Sequence, residues 1–261
     1  MLRSLKAYLK GLINKSGWEL IKRDVWDLTL HGIQPDYDKA HAETYDKVKD
    51  FTMTSSQRIV SLCNAVDYLE KNNIEGDLVE CGVWKGGSIM AAIDTLLKYN
   101  STKRSIYLYD TFEGMPPPTE HDIKKGGISG AGLSAEEIYK TSKPGDLVWC
   151  YSSLDEVKQN VAKMGYPAER VHFIKGKVED TIPGTIPQKI ALLRLDTDFY
   201  ESTAHELEHL YPLLVPGGVL VIDDYGEWEG ARKAVDEYIT NNKLRILLNR
   251  IDSTGRIAVK I

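Results

Sequence analysis

The sequence predicts an α/β fold: a seven-stranded, mostly parallel sheet with one antiparallel strand and helices on both faces. Three observations predict it. Short apolar runs stop abruptly at acids, Ile190 to Leu195 before Asp196-Thr197-Asp198 and Gly218 to Ile222 before Asp223-Asp224. Such runs, bounded by turn signals, read as buried parallel strands. Helix-length patterns lie between them, as in Ser202 to Leu214, so strands alternate with helices. Finally, Leu244 to Ile251 and Arg256 to Ile261 flank Asp252-Ser253-Thr254-Gly255, a hairpin signal that supplies the antiparallel strand.

Composition sets the bounds. A chain of 261 residues suits one α/β domain with an appendage, and 42% apolar residues suffice for a sizeable core. A net charge of −5 argues against a nucleic-acid binder. Three cysteines, an odd number without CxxC spacing, fit a reducing cytoplasm better than a disulfide framework. No signal peptide and no apolar run near the ~18 residues of a membrane span is expected.

Residues 1–44 form the appendage. Leu2, Leu5, Leu9, Leu12 and Ile13 recur at helical spacing among Arg3, Lys6, Lys10, Lys15, Lys22 and Arg23. A basic amphipathic helix over residues 1–23 can lie on an anionic membrane surface. Packing on its own domain or on a second subunit is the favoured alternative. Asp24 to Glu43, charge-rich and aromatic, reads as a connecting arm.

The domain proper spans residues 45–261. Tyr45 to Lys71 has helical periodicity, with Thr52 to Ser55 supplying hydroxyls for its start. Asp77 to Ser88 reads as strand, glycine turn and helix start, the helix running on to Leu97. A glycine turn there lets a ligand approach the backbone. Glu80, at that strand's end, would repel a pyrophosphate and suit a cationic ligand. Ser105 to Tyr109 is the second strand, and the acid after it, Asp110, is placed to bind both hydroxyls of a ribose. A glycine turn and a ribose-binding acid, without a phosphate loop, favour S-adenosylmethionine over NAD. Residues 112–133 hold Gly114, Pro116, Pro117, Pro118, Gly126, Gly127, Gly130 and Gly132, the composition of an active-site lid.

Ser134 to Ser142 and Ser153 to Met164 read as helices. Val171 to Ile174 is a strand, and the loop after it, with Gly176, Lys177 and Val178, would cover an adenine in a sheet of this type. Glu229 to Asn241 is the last helix. The two acidic strand ends then bring Asp196, Asp198, Asp223 and Asp224 to one rim. Four carboxylates there repel one another and raise each other's pKa values. A hard divalent cation such as Mg²⁺ would remove that conflict.

Four segments together resemble a known family: VECGVWKGGS (79–88), YDTFEGMPPPTEHD (109–122), LRLDTDFYEST (193–203) and VPGGVLVIDDYGEW (215–228). They look like the macrocin O-methyltransferase family, over about residues 45–261. The resemblance implies the class I methyltransferase Rossmann-like fold, a homo-oligomer, and Mg²⁺-dependent methyl transfer from S-adenosylmethionine to a sugar hydroxyl. It assigns Asp196, Asp223 and Asp224 to the metal, Asp196 also lying against the cofactor. It makes Asp198 the general base. Glu80, Gly82, Ser88 and Asp110 match cofactor positions, and Met53, Thr54 and Ser55 match a segment lining that pocket. Family members often carry Trp-Phe in the adenine loop; this chain has Lys177-Val178, so stacking is not expected there.

The residue types suit that chemistry. Coordination acidifies and orients a hydroxyl, a proximal carboxylate takes its proton, and in-line displacement at the sulfonium methyl follows. His205, which shares a helix face with His209, is a rival base, though a packed histidine is the commoner meaning of that pattern. The acceptor, a small molecule or a glycan, is not encoded legibly. A catechol-type acceptor and a non-catalytic nucleotide-binding protein are the alternatives; the full carboxylate set argues against the latter.

Overall fold

The computed structural model describes residues 34–116, 121, 122, 137, 140 and 149–261. The basic segment 1–23, most of the lid and most of the helix expected at 134–142 lie outside the described residues. Among the described residues no helix is long and apolar enough to cross a membrane.

The chain enters through α1 (Lys39–Val48), capped by Asp38, and α2 (Ser56–Lys71), capped by the Ser55 hydroxyl. The expected arm therefore ends in a helix. Only Thr44, Tyr45 and Val48 of α1 are buried, too narrow a stripe to read as amphipathic from sequence. The αβ succession then runs β1 (Asp77–Cys81), α3 (Gly87–Lys98), β2 (Ile106–Asp110), α4 (Leu154–Ala162), β3 (Val171–Lys175), α5 (Val178–Thr181), β4 (Ile190–Leu195), α6 (Tyr200–Leu210), β5 (Leu214–Ile222), α7 (Glu229–Asn241), β6 (Asn249–Arg250) and β7 (Arg256–Val259).

The seven strands form one sheet in the order β3-β2-β1-β4-β5-β7-β6. β1 to β5 are parallel, and β7 runs antiparallel to both β5 and β6. The order reverses between β1 and β4, and ligands of open α/β sheets bind at the strand carboxyl ends beside such a switch point. One apolar core on one face joins α2 and α3 to the sheet through Ile59, Val66, Leu78, Ile93 and Leu108. A second core on the other face joins Val79, Cys81, Leu193, Leu207, Leu220 and Val235. The fully buried IALLRL of β4 explains its continuous apolar run.

Several boundaries differ from expectation: the helical pattern over Tyr45–Lys71 is broken by a 3₁₀ turn at Lys49–Phe51 and extended backbone at Thr52, and β5 begins at Leu214 rather than Gly218. The helix expected over 202–214 ends at Leu210 and tightens into a 3₁₀ turn, Tyr211–Leu213, because Pro212 cannot donate the next helical hydrogen bond. The strand expected over 244–251 shrinks to Asn249–Arg250. Leu244, Ile246 and Leu248 pack sideways on the second core instead of pairing with β7.

Candidate active site

The sheet's central strands carry charge into the core. Glu80 of β1 and Arg194 of β4 are register partners, 2% and 3% exposed. The Arg194 guanidinium donates to Glu80 at 2.8 Å and to Asp223 at 2.8 Å, and lies 2.7 Å from Asp196. Burial disfavours its charge, but Asp196, Asp223 and Glu80 more than offset this and hold its pKa above the ordinary value. The cation expected to suit Glu80 is thus supplied, in this arrangement, by the protein. Burial still pushes Glu80 up to about 7 against the pull of Arg194. A second guanidinium, Arg58 of α2, pairs with Asp223 and lies 3.0 Å from Asp252 of the β6–β7 turn.

At the strand ends Asp196, Asp223 and Asp224 converge. They offer oxygens that all lie within 4.8 Å of one another, a spacing three ligands of one cation can share. Burial and the neighbouring Asp198, Asp196 and Asp223 push Asp224 well above the carboxylate range. Burial, with Asp223 and Asp198 adding to it against Arg194, does the same to Asp196. Among the described residues, Asp224 and Asp198 have no cation within 4.0 Å. Six carboxylates, those of Glu80, Asp196, Asp198, Asp223, Asp224 and Asp252, therefore share two guanidiniums. The donor set fits a hard divalent cation on this residual negative charge.

Asp198 stands beside the cluster in the left-handed backbone region, φ 66°, its N–H donating to Asp224 at 3.2 Å. Burial raises its carboxyl to about 6, while hydrogen bonds involving Asp224 and Trp228 pull it down. His205 is elsewhere engaged. Its Nε2 lies 2.9 Å from the Ile182 carbonyl and its ring packs 4.2 Å from that of His209. A carbonyl only accepts, so Nε2 carries the hydrogen and serves to tie α6 to α5.

The cofactor positions surround the same rim. A Cβ on Gly82, φ 82°, would meet the Asp196 carbonyl oxygen at 1.9 Å, so the glycine turn abuts the end of β4. Asp110 accepts from the N–H groups of Val83 (2.7 Å), Trp84 (3.1 Å) and Phe112 (2.7 Å), fixing that turn. Ser88 is buried in the first turn of α3. Phe51 and Thr52 lie against Gly87 at the start of this helix. Thr54 and Ser55 are buried, Ser55 donating to Asp252 at 2.5 Å, whereas Met53 is 44% exposed. Gly176 donates to the Asp110 carbonyl at 3.0 Å and Lys177 caps α5. The Val178 side chain belongs to the second core, so it does not face the rim as an adenine contact would.

Sequence reasoning missed Arg194, Arg58 and Asp252. A signal existed for the first: a charged residue inside an apolar strand, IALLRL, beside another in DLVEC. It also missed two contacts made by the described residues of the Gly- and Pro-rich segment. Met115 donates to the Trp149 carbonyl at 3.0 Å and packs on Phe199, Trp228 and Ala231. Asp122, 1% exposed, accepts from the N–H of Tyr200 at 2.9 Å, at the start of α6.

A family model described as Macrocin-O-methyltransferase (TylF) matches residues 30–259. The chain belongs to the macrocin-O-methyltransferase family. Family membership makes it an O-methyltransferase, and the sheet order is that of class I methyltransferases. The 8-demethyl-8-(2,3-dimethoxy-alpha-L-rhamnosyl)-tetracenomycin-C 4'-O-methyltransferase of Streptomyces olivaceus is 34% identical over 204 residues, 78% of this chain and 73% of that one. Mycinamicin III 3''-O-methyltransferase of Micromonospora griseorubida is 32% identical over 205 residues, 78% of this chain and 76% of that one. Among solved structures, the O-methyltransferase NovP superposes with a TM-score of 0.68 at 30% identity, covering 80% of this chain and 82% of that one.

Proposed function

We propose that this family member transfers the methyl of S-adenosylmethionine to a sugar hydroxyl with a divalent cation held by Asp196, Asp223 and Asp224. The observation that carries the reading is the convergence of those three carboxylates against the glycine turn at Gly82. The acceptor class is supported by the relative from Streptomyces olivaceus, whose name describes 4'-O-methylation of a rhamnosyl compound.

When bound, a divalent cation would supply Lewis acidity and a fixed orientation to an alcohol, and the sulfonium cofactor would supply the methyl. The chain's residues do the rest. Asp110 fixes the glycine turn through Val83 and Trp84 on Oδ2, and the lone pair that Phe112 leaves on Oδ1 would accept from a ribose hydroxyl. Arg194 and Arg58 hold Asp223 in place so that the rim keeps its spacing. Asp198, raised by burial, takes the proton of the acceptor hydroxyl at its carboxylate as the methyl departs. Bringing nucleophile and methyl together in line would matter more here than covalent catalysis.

The test is a screen of sugar acceptors with methyl-labelled cofactor, with added Mg²⁺ and with EDTA. Labelled sugar ether that disappears in EDTA and returns with Mg²⁺ is expected. Undiminished turnover in EDTA would sink the metal assignment, and transfer only to vicinal diphenols would sink the acceptor class. Asp224→Asn, which removes a ligand but keeps its volume, should lower kcat/KM about a hundredfold or more without unfolding the chain.

A further inference from the structure

Outside the carboxylate rim, an arginine-lined cavity of about 360 Å³ opens between the turn after β5 and the β6–β7 hairpin. Arg232, Arg250 and Arg256 line it, together with Tyr225, Ser253 and a single carboxylate, Glu229. Arg250 and Arg256 face each other in register across the hairpin, and like charges directly opposite on paired strands repel. Arg256 is only 7% exposed.

A guanidinium that buried normally has an acid beside it. Among the described residues, Arg250 and Arg256 have none within 4.0 Å. Two of the acids nearby, Asp252 and Asp236, are engaged elsewhere. Asp252 faces Arg58, the Ser55 hydroxyl and the N–H groups of Thr254 and Gly255. Asp236 takes the Tyr225 hydroxyl and lies 3.5 Å from Arg232. Arg256 is left with two backbone carbonyls, those of Thr254 and Gly255, and the Tyr225 ring 4.8 Å away. These hydrogen bonds and ring contacts hold the side chain in place without neutralising it.

We propose that this cavity binds the phosphate or diphosphate group of a phosphorylated sugar acceptor. Arginine forks match phosphate oxygens in geometry as well as charge, and a dianion among three guanidiniums would relieve their mutual repulsion. The cavity adjoins the methyl-transfer rim. Its lining residues Tyr225, Gly226 and Trp228 follow Asp223-Asp224 closely in the chain, and the N–H groups of Glu227 and Trp228 both donate to the Asp224 carbonyl at 3.0 Å. A sugar joined to a phosphate seated here would present its ring toward the carboxylates. The acceptor assignment rests on the proposed function; the anion site itself does not.

The test is calorimetric titration of the full chain with inorganic pyrophosphate, without cofactor, so no turnover is needed. Saturable binding is expected, weakened at least about tenfold in Arg250→Gln and in Arg232→Gln. Both side chains are solvent-accessible, so these variants should fold where Arg256→Gln could fail. No saturable binding, or equal affinity in both variants, would overturn the site. So would equal affinity for sulfate, the mark of an adventitious ion only. Displacement of pyrophosphate by a nucleoside-diphosphate sugar is expected as well; binding of pyrophosphate that such a sugar does not displace would overturn the acceptor assignment. Methylation of a neutral glycoside with no pyrophosphate binding would leave the proposed function standing and this inference refuted.

Discussion

Arg194 carries the charge balance of the buried rim. Among the described residues, no other cation contacts all three of Glu80, Asp196 and Asp223, and the Arg194 side chain itself is 4% exposed. Arg194→Met would leave those three acids facing one another with only Arg58 nearby. Breaking a buried ion pair by removing one partner typically costs about 3–5 kcal/mol. A loss of stability in that range is expected in urea unfolding, and Arg194→Lys should not restore it, since one ammonium cannot fork to three acids. Glu206 gives a different test. It is fully buried, bonded to Thr197, and burial raises its pKa well above the ordinary value. An acid whose pKa is raised on folding contributes its full stability below the unfolded value and loses it as pH rises toward the folded value. Glu206→Gln should therefore show a smaller fall in melting temperature between about pH 5 and about pH 8 than the parent chain. The four rim aspartates were legible because each ends an apolar run. Their arginine partners were not, because a strand's pairing register, which sets Arg194 opposite Glu80, is not written in local sequence.

At the scale of elements, tight approaches fix where strands and helices meet. Gly82 has a left-handed φ of 82°, and a methyl there would press on the Asp196 carbonyl. Gly82→Ala is expected to cost more than about 4 kcal/mol in urea unfolding, or to yield insoluble chain, because neither backbone can give way. The helices and strands of the αβ succession were legible from periodicity, and α7 over Glu229–Asn241 agrees to the residue. The elements read incompletely are those whose apolar residues serve something else. α1 buries a single turn's worth of side chains, and the apolar residues of 244–248 pack on a core rather than pairing. Neither arrangement leaves a period of 2 or 3.6 to read.

For the molecule as a whole, Asp122, within the Gly- and Pro-rich segment, meets the helices that follow the acidic strand ends. Asp122 reaches the start of α6, and a Cβ on Gly230 of α7 would stand 2.3 Å from its carboxylate. Asp122→Ala should lose about 1 kcal/mol as a helix-start acceptor disappears, visible as a lower melting temperature. If the segment is the lid its composition suggests, kcat/KM at saturating cofactor should fall as well. The glycine and proline content of 112–133 was legible in the sequence; the Asp122 contact was not, since Asp122 and Tyr200 lie 78 positions apart.

The abutment of Gly82 on Asp196 has a practical corollary. The backbone that cradles the donor and the backbone that carries the acidic tips are pressed together, so neither can be retuned alone. The Gly- and Pro-rich loop meets the start of α6 through Asp122, and the β6–β7 turn meets Arg58 through Asp252. Chimeras that exchange those two loops among family members should therefore inherit a new acceptor preference while keeping the spacing of the transfer step intact.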